Sequence, residues 1–116
     1  MNGNKAVYLA TLEIRNNPTA IDLAYFTYEL AIFLGFTPCN YDYKYYDNRA
    51  LTLTRFLEES HITVDTYPEN SILELTVVSC KYIDTLGMQS FCQKFNLNLL
   101  YCNLISKQAN NKWLLS

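Results

Sequence analysis

The 116-residue sequence is poor in the residues that interrupt or punctuate a chain, with three glycines, three prolines and a single histidine, His61. Its four cysteines stand at positions 39, 80, 92 and 102 and form no C-x-x-C pair. A zinc site needs about four such ligands at close spacing, so no metal site is expected. No uninterrupted run of about 18 apolar residues occurs either, which argues against a membrane-spanning helix.

Charge is also scarce, since 17% of the residues are charged and the formal net charge is −2. Binding to duplex nucleic acid usually needs a basic face, so that class of function is not expected. Half of the residues are hydrophobic, which suffices for the core of a single domain over residues 1–116. The N-terminal segment has no hydrophobic region typical of a signal peptide, and this predicts a cytoplasmic protein without disulfides. Cys39, Cys92 and Cys102 are then predicted to be small buried residues.

Six stretches alternate apolar and polar residues in the manner of half-buried strands. They cover residues 6–14, 40–46, 51–57, 62–67, 72–78 and 97–105. Turns are predicted between neighbouring strands at Asp47-Asn48-Arg49 and at Pro68-Glu69-Asn70.

Two further segments have helical periodicity. Asn17 and Pro18 suit the N-cap and the first position of a helix, and Gly35 stands where that helix would end. Its apolar positions at helical spacing are Ile21, Ala24, Tyr25, Tyr28 and Ile32. Asp84 is expected to cap a second helix. The apolar stripe of that helix consists of Met88, Phe91, Cys92 and Phe95.

The predicted order of elements is β-α-β-β-β-β-α-β. Because short turns join consecutive strands, the sheet is expected to be mainly antiparallel. Two amphipathic helices would cover one face of it, which makes a two-layer α+β sandwich. The other face would keep tyrosines and a few polar groups, and it is a candidate surface for a ligand or for a dimer.

The residues around the single histidine are the most informative part of the chain. By residue type alone, Ser60 next to His61 is typical of a strand end with exposed polar groups. A serine hydrolase is disfavoured because the glycine pair of a nucleophile elbow is missing. The whole run, however, reads Glu59-Ser60-His61-Ile62-Thr63-Val64-Asp65-Thr66-Tyr67-Pro68-Glu69. It resembles the processing segment of the short prokaryotic type of S-adenosylmethionine decarboxylase. That family also has a cysteine at the position that Cys80 occupies.

The resemblance implies a proenzyme that cuts its own chain between Glu59 and Ser60, into 1–59 and 60–116. The Ser60 hydroxyl would attack the carbonyl of Glu59, and elimination and hydrolysis would convert Ser60 into a pyruvoyl group. In the family this group is the cofactor. Its ketone forms a Schiff base with the substrate amine and acts as an electron sink for decarboxylation of S-adenosylmethionine, a step of polyamine synthesis. The resemblance also implies a homodimer with sites built from both subunits.

Roles for further residues follow from the same resemblance. Cys80 would donate a proton to the decarboxylated carbon, Glu69 would hold the ribose hydroxyls, and Tyr46 would stack on the adenine. Tyr67 stands where the family has tryptophan and is assigned to the same substrate site.

Besides Tyr67, other positions depart from the family pattern, and the glycines that usually flank the strand of the processing serine are missing. Asp65 replaces a histidine that assists processing, and a carboxyl group with an ordinary pKa near 4 is a weaker base near neutral pH. Thr52 replaces a processing serine and keeps its hydroxyl. Lys81 replaces the glycine that follows the cysteine.

These departures leave two alternatives open. Asp65 could have stalled maturation, so that the chain is a non-processing pseudoenzyme or a partner subunit of the same fold. Alternatively, the substrate could be ornithine or arginine. A carboxylate such as Asp65 near the substrate attracts a cation by roughly 1 to 4 kcal/mol at about 4 Å. S-adenosylmethionine and both basic amino acids carry positive charge, while Glu69 and Tyr46 favour a nucleoside.

Overall fold

Seven strands and two helices make up the part of the chain that the computed structural model describes, namely residues 5–58, 60–81, 83–107 and 113–115. The strands are β1 (Lys5–Ile14), β2 (Pro38–Tyr45), β3 (Leu51–Leu57), β4 (His61–Tyr67), β5 (Ile72–Ser79), β6 (Leu97–Lys107) and β7 (Trp113–Leu115). The helices are α1 (Ala20–Phe33) and α2 (Thr85–Gln93), and residues Pro68–Asn70 form a 3₁₀ turn. Neither helix is long and apolar enough to cross a membrane, as far as the described residues go.

All strands belong to one antiparallel sheet with the order β2-β3-β4-β5-β1-β6-β7. The predicted α+β class and element order are therefore confirmed, with β7 as an additional edge strand. In β4 every second residue, Ile62, Val64 and Thr66, is buried, while the residues between them are partly exposed. This period of two gives the sheet one apolar face and one mixed face.

The core lies between the apolar face of the sheet and the two helices. A row of paired residues, Leu53, Val64, Leu75 and Ala10, crosses β3, β4, β5 and β1 on this face, and all four are buried. The opposite face carries no helix in the described part of the chain and is called here the open face. Its residues include Thr52, Asp65, Glu74 and Thr11, which form a parallel row one position along the same strands.

The start of α1 differs from the prediction. Its N-cap is Thr19 and not Asn17, because Thr19 and Asp22 form a capping box. The Asp22 backbone N–H donates to Thr19 Oγ1 at 3.2 Å, and the Thr19 backbone N–H donates to the Asp22 carboxylate at 2.9 Å. The predicted end is confirmed, since Gly35 follows the helix with a φ of 81°. Asp84 caps α2 as expected, accepting from Leu86 N at 3.1 Å.

The face of α1 that packs on the sheet is not the one formed by the predicted stripe. The buried side chains of α1 are Ala20, Leu23, Ala24, Phe26, Thr27, Leu30 and Ala31. Of the predicted stripe only Ala24 is among them, whereas Ile21, Tyr25, Tyr28 and Ile32 are exposed. Because α1 is apolar on both sides, periodicity alone does not identify the side that faces the core.

The predicted burial of three cysteines is confirmed in part. Cys92 is buried in α2, and burial raises the pKa of its thiol to about 12. Cys102 is half-buried. The prediction for Cys39 was wrong: this residue is exposed because it lies on β2, an edge strand that is open to solvent along most of its length.

The buried cation Arg55 links α1 to the sheet through hydrogen bonds. Arg55 points from β3 towards the helix and is only 6% exposed. Its Nη1 donates to the carbonyl of Cys39 at 2.9 Å, its Nη2 to the carbonyl of Ala24 at 2.5 Å, and its Nε to Thr27 Oγ1 at 3.3 Å. The guanidinium also lies 4.8 Å from the ring centre of Tyr41. These partners are neutral, and burial lowers the pKa of Arg55.

We expect Arg55→Lys to lower the free energy of unfolding by about 2 kcal/mol, because one ammonium cannot satisfy three acceptors in this forked arrangement. Urea unfolding followed by circular dichroism at fixed protein concentration measures the change. The matched control is Arg15→Lys at an exposed position, with an expected change within about 0.5 kcal/mol. Equal effects of the two substitutions would contradict this role of Arg55.

Candidate active site

Ser60 lies at the tip of the β3–β4 hairpin, directly before the first residue of β4. The Leu57 backbone N–H donates to the Ser60 carbonyl at 2.8 Å and closes the turn. The Ser60 side chain is half-buried. Glu59, on the other side of the predicted cleavage position, lies outside the described residues.

Cys80 lies at the same end of the sheet as Ser60. The last residue pair at this end of β4 and β5 is His61 with Val78. Ser60 precedes His61 by one residue and Cys80 follows Val78 by two, and neighbouring strands are about 4.8 Å apart. The fold therefore brings together the predicted processing serine and the predicted proton donor, named here the hairpin-end pair.

A tight turn fixes the backbone around Cys80. Ser79 is buried, and its Oγ lies 2.7 Å from both the backbone nitrogen and the carbonyl oxygen of Lys81. The Lys81 ammonium donates to the Gly35 carbonyl at 2.8 Å, at the C-terminal end of α1, where the helix dipole favours a cation. The lysine that replaces the family's glycine thus anchors the turn to the helix layer.

A second set of predicted residues meets on the open face. Thr52 and Asp65 are paired across β3 and β4, and Thr52 Oγ1 donates to Asp65 Oδ1 at 2.5 Å. The Tyr46 hydroxyl lies 3.3 Å from Thr52 Oγ1. The two predicted processing residues are thus joined directly to the predicted adenine-stacking residue.

Glu74, which the sequence analysis did not single out, stands directly opposite Asp65 in the β4–β5 pair. Tyr67 lies close to both carboxylates. Burial raises the pKa of the Tyr67 phenol, and the charge of Glu74 raises it further. Two acidic side chains therefore lie next to a neutral phenol. The predicted three-residue turn at Pro68-Glu69-Asn70 would pair residue 65 with residue 73. Ser71, with a φ of 54°, adds a fourth residue to the turn and makes Glu74 the partner of Asp65.

Glu69 joins this set through the turn after β2. Its carboxylate accepts a hydrogen bond from Asn48 Nδ2 at 3.3 Å, and Asn48 follows Tyr46 by two residues. Both Glu69 and Tyr46 are exposed. The set is called here the sheet-face group and consists of Tyr46, Thr52, Asp65, Tyr67, Glu69 and Glu74.

The hairpin-end pair and the sheet-face group are far apart within one chain. Asp65 follows Ser60 by five residues along an extended strand, a separation of about 16 Å. Thr52 is paired with Asp65 and is equally remote. The structure thus separates the predicted site residues into two groups near opposite ends of the β3–β4 hairpin.

In the described part of the chain, the sheet-face group borders an open depression and not an enclosed cavity. A depression of about 240 Å³ on the open face includes Asp65, Glu74 and Tyr101 in its wall. It is smaller than the ~300–1,000 Å³ typical of small-molecule sites. A groove of about 870 Å³ lies in the helix layer beside Ile21 and Tyr25, and none of the predicted site residues lines it.

Both the sequence and the fold of this chain are similar to those of known proteins. A sequence model of S-adenosylmethionine decarboxylase matches residues 18–100. The crystal structure of the adenosylmethionine decarboxylase from Aquifex aeolicus VF5 resembles this chain with a TM-score of 0.67 and 17% sequence identity, over 90% of this chain and 88% of that one. No protein of curated function matches the sequence. The structural likeness supports the fold. Because the sequence match spans most of its length, the chain belongs to the S-adenosylmethionine decarboxylase family.

Proposed function

We propose that the chain is a self-processing, pyruvoyl-dependent decarboxylase of S-adenosylmethionine that acts as a homodimer. The observation that carries the proposal is the hairpin-end pair: a serine in a closed hairpin turn and a cysteine at the end of the adjacent strand. These are the two groups that cofactor formation and proton return would need in a member of this family.

The processing reaction needs a hydroxyl next to a peptide carbonyl. The Ser60 hydroxyl attacks the carbonyl of Glu59, and an ester replaces the peptide bond. Removal of the proton on Cα of residue 60 then releases Glu59 as a free carboxylate and leaves an enamine. Water converts the enamine into a pyruvoyl group with release of ammonia. The Leu57–Ser60 backbone hydrogen bond supports this step because it holds position 60 in the turn.

The elimination needs a proton acceptor, and we assign that role to Asp65. Its Oδ1 accepts the Thr52 hydroxyl at 2.5 Å, which fixes the carboxylate in place. At about 16 Å along β4 it is out of hydrogen-bond range of Ser60 in the same chain. Asp65 therefore acts on Ser60 of a second copy. Pairing of two open faces would bring the sheet-face group of one copy to the hairpin-end pair of the other.

The same pairing would complete the substrate site. The pyruvoyl group, once formed, supplies the carbonyl that takes up the electron pair of the breaking carbon–carbon bond. Cys80 donates a proton to the carbon that loses carbon dioxide. Glu69, held by Asn48, accepts the ribose hydroxyls, and Tyr46 stacks on the adenine. Asp65 and Glu74 lie side by side and favour the positively charged sulfonium.

Self-cleavage is tested by intact mass spectrometry after incubation at neutral pH. We expect two species, residues 1–59 at their sequence mass and residues 60–116 lighter than their sequence mass by one ammonia. Ser60→Ala should remain one chain, whereas Ser90→Ala, at an exposed position of α2, should be cut like the wild type. If the wild type stays whole and Asp65→His is cut, the chain is a stalled relative. If both stay whole, the role of Ser60 is wrong.

Action of Asp65 across the dimer is tested by co-expressing Ser60→Ala with Asp65→Asn, the two chains carrying different tags. We expect neither variant to be cut alone. In the mixed dimer the Asp65→Asn chain should be cut, because its intact Ser60 faces the intact Asp65 of the other chain. Absence of cleavage in mixed dimers would place Asp65 and Ser60 in one chain. Cleavage of Asp65→Asn alone would remove Asp65 from processing.

The adjacent carboxylates Asp65 and Glu74 also favour a second candidate, decarboxylation of ornithine or arginine. Release of carbon dioxide by processed protein from each substrate distinguishes the two. We expect turnover of S-adenosylmethionine only, with KM raised at least tenfold by Glu69→Gln, because a charged acceptor of the ribose hydroxyls is lost. Glu13→Gln, exposed on β1, is the control. Turnover of a basic amino acid unaffected by Glu69→Gln would favour the second candidate.

A further inference from the structure

Helix α1 has a second apolar face that the described part of the chain leaves largely exposed. Its residues Ile21, Tyr25, Tyr28 and Ile32 are 78%, 61%, 44% and 53% exposed, respectively. These four residues are called here the outer stripe. The ring of Tyr28 also lies 5.6 Å from the Arg55 guanidinium, and that of Tyr25 lies 5.9 Å from the ring of Phe95. A continuous apolar stripe of this kind on the surface of a helix indicates a contact.

The spacing of the outer stripe indicates what covers it. The intervals between its members are four, three and four residues, which is the a/d pattern of a helix that packs against another helix. The pattern also reads the same in both chain directions, with isoleucine at each end and tyrosine in the middle. An antiparallel second copy of α1 would therefore place isoleucine on isoleucine and tyrosine on tyrosine, about a two-fold axis between residues 26 and 27.

The apolar surface continues beyond the outer stripe. Phe33 is 45% exposed, and Leu86 at the start of α2 is 82% exposed. With about 200 Å² per aromatic side chain, the exposed parts of Tyr25, Tyr28 and Phe33 alone amount to about 300 Å². The aliphatic side chains and the adjoining groove bring this surface towards the ~800 Å² that each partner contributes to a standard interface.

The charges of α1 argue against other occupants. The helix contains no lysine or arginine, and its charged residues, Asp22 and Glu29, are acidic and lie beside the outer stripe. Arg15 and Lys94 line the adjoining groove beside the first turns of α1. Two cations are too few for the basic surface that anionic membranes and nucleic acids require.

We propose that the outer stripe forms a second self-association interface, in which α1 of one copy packs antiparallel on α1 of another. The alignment of opposed helix dipoles favours this direction over a parallel one. The interface lies in the helix layer, on the other side of the sheet from the open face. It is therefore independent of the proposed catalytic dimer. Because the two interfaces lie on opposite sides of each chain, use of both would link dimers into a linear array and not into a closed ring.

Cysteine cross-linking tests the orientation in the variant Ile21→Cys/Ile32→Cys, with Cys39→Ser to remove the exposed native thiol. Mild oxidation should link residue 21 of one chain to residue 32 of another, as identified by peptide mapping. Each single cysteine variant should fail to link to itself, because residues 21 and 32 are about 16 Å apart along the helix. Links of 21 to 21 and of 32 to 32, or no link at all, would overturn the antiparallel pairing.

Sedimentation velocity over a range of concentrations tests the association itself. We expect the mass of the wild type to rise with concentration beyond that of the open-face dimer. Tyr25→Lys should stop at that dimer, or at a single chain if the open-face dimer does not form. The matched control is Tyr43→Lys on the edge strand β2, where the tyrosine is 51% exposed, and this variant should sediment like the wild type. Circular dichroism verifies that both variants are folded. A folded Tyr25→Lys protein with unchanged mass would overturn the interface.

Discussion

The register of β3, β4 and β5 is the constraint on which the other features of this structure depend. One face of these strands is buried, so a slip of one residue would move Val64 out of the core and bring Asp65 into it. Burial of the apolar face thus determines the positions of the polar residues on the other face. The contact of Thr52 with Asp65 and the position of Glu74 opposite Asp65 both follow from this register.

The same register keeps the predicted site residues of one chain apart. An extended strand rises about 3.3 Å per residue, and five residues therefore separate Ser60 from Asp65 by far more than a hydrogen bond. The sequence motif that joins them is continuous, yet its two ends lie at opposite ends of the hairpin. In the proposed dimer this separation allows each chain to supply the serine of one site and the carboxylate of the other.

The helix layer adds a separate feature to this arrangement. Arg55 holds α1 on the sheet through two backbone carbonyls and one hydroxyl, without an acidic partner among its hydrogen bonds. That contact lies on the inward side of α1, which also buries Leu23, Phe26 and Leu30, and the outer stripe stays exposed. The open face and the outer stripe lie in opposite layers of the sandwich, so the proposed catalytic pairing and the proposed helix pairing do not compete for surface.

Much of the local structure could be predicted from the sequence, because its causes are local. The bounds of β3, the Asp84 cap and the end of α1 at Gly35 depend on alternation, a side-chain acceptor and a positive φ. The likeness of residues 59–69 to a processing segment also indicated the family, and the match over 18–100 confirmed it.

Other features depended on which elements become neighbours. The capping box at Thr19 and the inward face of α1 could not be chosen by periodicity, because more than one cap residue and more than one apolar face were available. The exposure of Cys39 depends on β2 being an edge strand. The sequence by itself determined the elements, their order and the motif. Only the tertiary structure decided that Glu74 faces Asp65 and that Asp65 is remote from Ser60, since both follow from strand pairing and extended geometry.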